Sequence, residues 1–208
     1  MSTRCRWFLC FLLFMVIACS ITWVAVWCAS YPNLPEFRVH SVSVSNFSYF
    51  DSNASVTGNW NVCFSVYNPN KKFSISYDVA QSSLLYEPKT SYLFYAPEFT
   101  SETRIPGFNQ FARNRTFIDA AFASRDDYVD RGALGDINVD GTPGTITFKV
   151  MLVAGFKFED ARSGRVVDYE TESLKVWCEG LVVSLSLSNR SASGSGKLVK
   201  PRNCEVSS

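Results

Sequence analysis

The sequence predicts an all-β protein, an antiparallel β-sandwich preceded by one N-terminal transmembrane helix. Three observations carry that expectation. Trp7 to Ala29 contains no charged residue. Beyond Pro35, apolar residues recur at every second position. Turn residues such as Asn68-Pro69-Asn70 punctuate those runs. A chain of 208 residues has length for one sizeable core. Hydrophobic residues make up 47% and charged residues 19%, which excludes disordered and fibrous classes. A net charge of +1 argues against a nucleic-acid partner held through charge. His40 is the single histidine, so chemistry that needs two is excluded.

The uncharged run comes first. Its 23 residues would make a helix of about 35 Å, against a bilayer core of about 30 Å. Trp7 and Phe8 stand at one end and Trp23, Trp27 and Tyr31 at the other, as interfacial anchors do. Pro32 and Pro35 stop the helix. A cleaved signal peptide would have an apolar region of about 7–15 residues, so this longer run reads as a retained anchor. Arg4 and Arg6 precede it without an acid, which places the N-terminus in the cytosol. Four N-x-S/T sequons, at Asn46, Asn53, Asn114 and Asn189, all follow it. The expected division is a cytosolic stub at 1–6, the transmembrane helix at 7–29, a β-sandwich ectodomain at 36–188 and a Ser/Gly-rich basic tail at 189–208. Cys5 and Cys10 flank the inner interface and are palmitoylation candidates, or else ordinary apolar cysteines.

Strands follow from the period of two. Val56, Gly58, Trp60, Val62, Phe64 and Val66 alternate with Thr57, Asn59, Asn61, Cys63, Ser65 and Tyr67. Phe73, Ile75, Tyr77 and Val79 alternate again, and Ile146 to Phe158 gives the longest run. Shorter versions pair Val42 with Val44, Phe117 with Ala121 and Leu174 with Val176, and Val183, Leu185 and Leu187 make a last strand. Ser163-Gly164 marks a hairpin, and Ser124 to Leu134 is the stretch with room for a helical turn. Seven or eight strands without βαβ spacing indicate a sandwich. Ser191 to Gly196 reads as a flexible linker before the basic residues Lys197, Lys200 and Arg202. Those residues read as a solubilising terminus, with contact to acidic polymers as the alternative.

From Val66 to Asp78 the sequence Val-Tyr-Asn-Pro-Asn-Lys-Lys-Phe-Ser-Ile-Ser-Tyr-Asp resembles a plant family. It is similar to the harpin-induced, non-race-specific disease-resistance-like proteins with a late-embryogenesis-abundant group-two domain, also called the water-stress and hypersensitive-response domain. Pro35 to Val39, Pro106 to Gln110, Asn114-Arg115-Thr116, Cys178 to Leu181 and Cys204-Glu205-Val206 follow the family's order. The resemblance implies a fibronectin-type-III-like sandwich, a plasma-membrane location, a role in defence and stress responses, and no enzymatic activity. The Asn68-Pro69-Asn70-Lys71 turn, followed by the alternating strand that ends in Tyr77-Asp78, is its most specific mark. Physics supplies a structural reason for that turn, because Pro69 fixes φ and the two asparagines bond the turn's own backbone.

No cofactor or metal site is expected. Asp136 to Gly141 begins like a calcium loop, but position 12 is Thr147 where a glutamate is needed, and a plain turn is the reading. His40 reads as a structural histidine on a strand. The acid pairs Asp126-Asp127 and Glu159-Asp160 are read as solvated turn residues. Cys63 reads as a lone strand thiol, and Cys178 with Cys204 as a disulfide tying the tail to the last strands. The expected function is that of a non-enzymatic, membrane-anchored interaction protein that presents a glycosylated body outside the cell. Its partners would be the membrane, proteins and cell-wall polymers, with no nucleic acid. A lipid-binding or desiccation-protective module is the alternative. A cell-wall-acting enzyme is a further one, with its site in the irregular stretches Glu98 to Asn114 or Ser124 to Gly144.

Overall fold

The computed structural model describes residues 3–28, 31–50, 55–86, 99–128, 144–167, 173–187 and 194–208. It divides into two compact units, Met1–Asn33 and Leu34–Ser208. The first unit contains helix α1, Thr3–Cys28, which has neither Pro nor Gly to interrupt it. Ser20 and Thr22 return their hydroxyls to the Val16 and Ala18 carbonyls at 2.8 and 3.0 Å, so neither leaves a polar group to be satisfied elsewhere. Apolar side chains such as Phe14 and Ile21 are exposed. Among the described residues no helix is long and apolar enough to cross a membrane.

The second unit is antiparallel β-structure, as alternation predicts. Its described strands are β1 (Glu36–Phe50), β2 (Ser55–Tyr67), β3 (Phe73–Tyr77), β4 (Ala80–Tyr86), β5 (Phe99–Ile105) and β6 (Phe108–Gln110), then β7 (Arg115–Tyr128), β8 (Gly144–Asp160), β9 (Ser173–Leu187), β10 (Gly194–Leu198), β11 (Arg202–Asn203) and β12 (Glu205–Ser207). The main path of hydrogen-bonded neighbours runs β5-β4-β8-β9-β10-β1-β2-β7. Its two ends approach each other, since Ser101 on β5 donates its hydroxyl to the Ala123 carbonyl on β7 at 3.2 Å. The sheet is thus nearly closed, which leaves few backbone groups at an open edge. Strand β3 branches from β8 and carries β6.

The inward-facing residues of β1, β2, β8 and β9 fill one core. Trp60 is 1% exposed and meets Phe47 and Phe148 edge-on, with ring centroids 6.1 and 5.4 Å apart. Val62, Phe64 and Val66 are buried on the same face.

Several sequence expectations change. On β7 the buried apolar residues are Ile118, Ala120 and Phe122, while Phe117 points outward. Phe117 and Ala121 therefore belong to the opposite face from the one expected, and Phe117 instead packs against the His40 ring at 5.3 Å. Ser124 through Tyr128, expected to begin a helical turn, continues β7 opposite β2. This places Asp126-Asp127 in a strand and not in a turn. The run expected to reach Val79 ends at Tyr77, and Val79 is exposed. Glu98 to Asn114 is not irregular, because β5 and β6 lie within it. The Ser163-Gly164 hairpin is present, with Gly164 at φ +65°. Asp160 accepts hydrogen bonds there from the Arg162 and Ser163 amides at 2.9 and 2.8 Å.

The largest change concerns the tail. Expected to be a linker, it enters the sheet as β10, pairing with β1 on one side and β9 on the other. Strand β11 then stays with β1 and β12 with β9. Composition misled here because small residues suit both a flexible linker and a crowded central strand. A Cβ on Gly196 would come within 2.7 Å of Val183 and 2.8 Å of Leu185.

Candidate functional site

Three groupings of functional residues emerge from this frame. The first is the family-like turn. Asn68 and Asn70 are buried, while Lys71 and Lys72 face solvent. Asn68 Nδ2 donates to the Phe73 and Phe111 carbonyls at 2.9 and 3.1 Å. Its Oδ1 accepts from the Asn70 amide and from Asn70 Nδ2 at 3.0 and 2.9 Å. One amide thereby satisfies backbone groups from two separate chain segments. Gln110, also buried, donates from Nε2 to the Val66 and Asn114 carbonyls at 2.8 and 3.1 Å and accepts from the Tyr77 hydroxyl at 3.2 Å. Burial pushes the Tyr77 phenol well above its ordinary value. The turn is accordingly a buried polar joint between β2, β3 and the β6–β7 connection. Gln110 was legible only as part of a resemblance, because nothing in its local pattern marks it as buried.

The second grouping is the seam made by the tail. Cys178 on β9 and Cys204, between β11 and β12, form a disulfide. The Cys204 amide donates to the Phe37 carbonyl on β1 at 2.9 Å. The bridge therefore fastens a strand position already held by β1 and β9, and does not merely restrain a loose end.

The third is a pair of adjoining clefts, of about 390 and 480 Å³, which share Arg38 and Asn203. The first is lined by Glu36, Ser65, Tyr67, Arg115 and Cys204 among others. The second is lined by Gly180, Lys200, Pro201 and Arg202 among others. Strand register explains the convergence. Glu36, Tyr67 and Arg115 stand opposite one another across β1, β2 and β7, and Arg38 stands opposite Ser65 and Asn203. The Arg115 guanidinium lies 5.4 Å from the Tyr67 ring centroid, and Nη1 donates to Ser65 Oγ at 3.4 Å. Gly180, at φ +62°, makes room for the Arg202 guanidinium, which a Cβ would approach to 3.1 Å. Lys200 and Arg202 belong to the tail that the sequence presented as a free basic terminus.

The remaining candidates are dispersed. Asn46 is exposed at φ 52°, where the β1–β2 register shifts between Ser45 and Ser48. Asn114 is exposed at the start of β7. Asn53, Asn189 and the Asp136 to Gly141 loop lie outside the described residues, as does the Cys5 side chain. Cys10 is exposed on α1. Cys63 is a half-buried free thiol, pushed above its ordinary value by burial and then by the Asp119 carboxylate opposite it. Among the described residues no cluster of three metal-binding side chains occurs. In comparisons with known proteins, the sequence matches no family model and no curated protein.

Proposed function

We propose that the chain is a membrane-anchored, non-enzymatic interaction protein of plant defence or stress responses, with its β body outside the cell. The observation that carries the outward placement is the Cys178–Cys204 disulfide at the seam of the sheet. Disulfides persist in oxidising compartments and are rare in the cytosol. Exposed sequons at Asn46 and Asn114 support the same side, since glycosylation needs an accessible asparagine.

The anchor is the uncharged segment at 7–29, which α1 carries as far as Cys28. A helix that is apolar on every side needs an apolar surrounding, and α1 exposes Phe11, Leu12, Leu13 and Phe14, four successive residues that face all round its axis. Lipid supplies that surrounding, with the N-terminus cytosolic by the charge of Arg4 and Arg6. Within the antiparallel body, the finer reading is a fibronectin-type-III-like sandwich, with β7, β2 and β1 facing β5, β4, β8 and β9. The family assignment rests on the Asn68 to Asp78 motif, and the buried joint around Asn68 gives that motif a structural purpose.

The test is a topology assay in plant cells. Endoglycosidase should raise the gel mobility of the membrane-bound protein, and a C-terminal tag should resist protease added from the cytosolic side. An unglycosylated protein in the soluble fraction, or a tag digested from the cytosol, would overturn the reading.

A further inference from the structure

We infer that the paired clefts form one groove for a linear polyanion bearing repeated carboxylates, of the acidic-polysaccharide class. The inference rests on the reading of the body as an interaction module and names the chemistry of its partner. Four cations line the two clefts, Arg38, Arg115, Lys200 and Arg202, against one lining acid, Glu36. Residues 7–208 hold 18 basic and 19 acidic residues, so outside the groove the balance is 14 against 18. Positive charge is thus gathered in one place on a chain that is elsewhere acidic, which focuses attraction on a single track.

The arrangement suits a chain more than a single ion. Arg115, Arg38 and Arg202 arise from β7, β1 and β11, so the cations are spread across the strands and over two clefts joined at Arg38 and Asn203. Guanidinium forks match carboxylates bidentately. Between them stand Ser65, Tyr67 and Asn203, whose hydroxyl and amide groups match the hydroxyls that separate carboxylates along a uronate chain. Two of the cations are already oriented, Arg115 by Tyr67 and Ser65 and Arg202 over Gly180. Holding them in place lowers the entropy lost on binding. The row of cations along both clefts also disfavours an acyl chain, so a lipid tail fits less well.

The experiment titrates the full chain in neutral detergent with a polygalacturonate oligomer. Binding is expected, and it should weaken as salt is raised. Arg38→Gln with Arg202→Gln should weaken it by roughly tenfold or more without changing the melting temperature. Lys157→Gln with Lys175→Gln removes the same charge from exposed positions on β8 and β9 and should leave binding intact. A fully methyl-esterified oligomer should not bind. Equal loss in both variants would reduce the effect to net charge and overturn the groove. So would binding of inorganic phosphate or of phosphatidylserine vesicles with no binding of the uronate oligomer. The assay does not depend on topology: a chain that binds yet faces the cytosol upholds the groove and overturns the proposed location.

Discussion

Asn68 and Asn70 sit two residues apart in one turn and carry different loads. Asn68 holds carbonyls of Phe73 and Phe111 and the amide of Asn70. Asn68→Ala strands those buried groups and should cost about 3 kcal/mol. Asn70→Ala removes a bond within the turn and should cost about 1 kcal/mol. Replacing the exposed Lys71 and Lys72 by alanine should leave stability nearly unchanged. Denaturant titration of the three variants checks this ranking, and an Asn70→Ala change as costly as Asn68→Ala would refute it. Trp60→Ala should cost about 3–5 kcal/mol, because the indole separates Phe47 from Phe148 in the core. Tyr77 adds a pH dependence. Its folded phenol titrates above the unfolded one, so the folded state keeps a proton that the unfolded state releases. Its contribution is complete below about pH 10 and is lost as the pH rises through the folded value. Tyr77→Phe should flatten the alkaline fall in melting temperature. An unchanged slope would assign that fall to another group.

At the scale of elements, alternation revealed β2 and β8 because their two faces differ sharply in polarity. It misplaced the face of β7, where Phe117, Ala121 and Ala123 stand among charged residues on the exposed side and leave the buried side, with Ile118, Ala120 and Phe122, little contrast to show. It missed β10 altogether, because Gly194-Ser195-Gly196 has no hydrophobic face to alternate. The clefts were illegible for a related reason: Arg38, Arg115 and the Lys200/Arg202 pair lie far apart in sequence and meet only through strand register. Gly196→Ala tests the crowding of β10. The added methyl group would collide with Val183 and Leu185, at a cost of about 1–3 kcal/mol. Gly164→Ala is the contrast, since a Cβ there meets nothing within 4 Å and only the positive φ opposes it. Cys178→Ser with Cys204→Ser should cost about 3 kcal/mol in the chain-entropy model. Hydrogen exchange should show that loss first in β11 and β12. Uniform loss of protection would mean that the seam does not open by itself.

Across the whole β body, β10 is the only described link on the main path between β9 and β1. The body is therefore expected to unfold as one cooperative unit, since neither side of the seam keeps a closed sheet without the other. Calorimetric and van't Hoff enthalpies should agree for the body's transition. Two resolved transitions within it would show that the sides are independent. Reduction by dithiothreitol should lower the single melting temperature without splitting the peak.

The strand that completes the main path of the sheet is also the last strand on that path to be synthesised. A ribosome delivers about 5–20 residues per second, so β1 waits many seconds for the partner that will lie beside it. Through that interval the nascent chain offers an unsatisfied strand edge on β1, and at its end a second on β9, to any neighbouring polypeptide. Biogenesis of this protein thus includes a vulnerable period that ends only when the residues from Gly194 onward emerge. A nascent chain stalled just short of Gly194 should be cut readily by protease, whereas the released chain should resist.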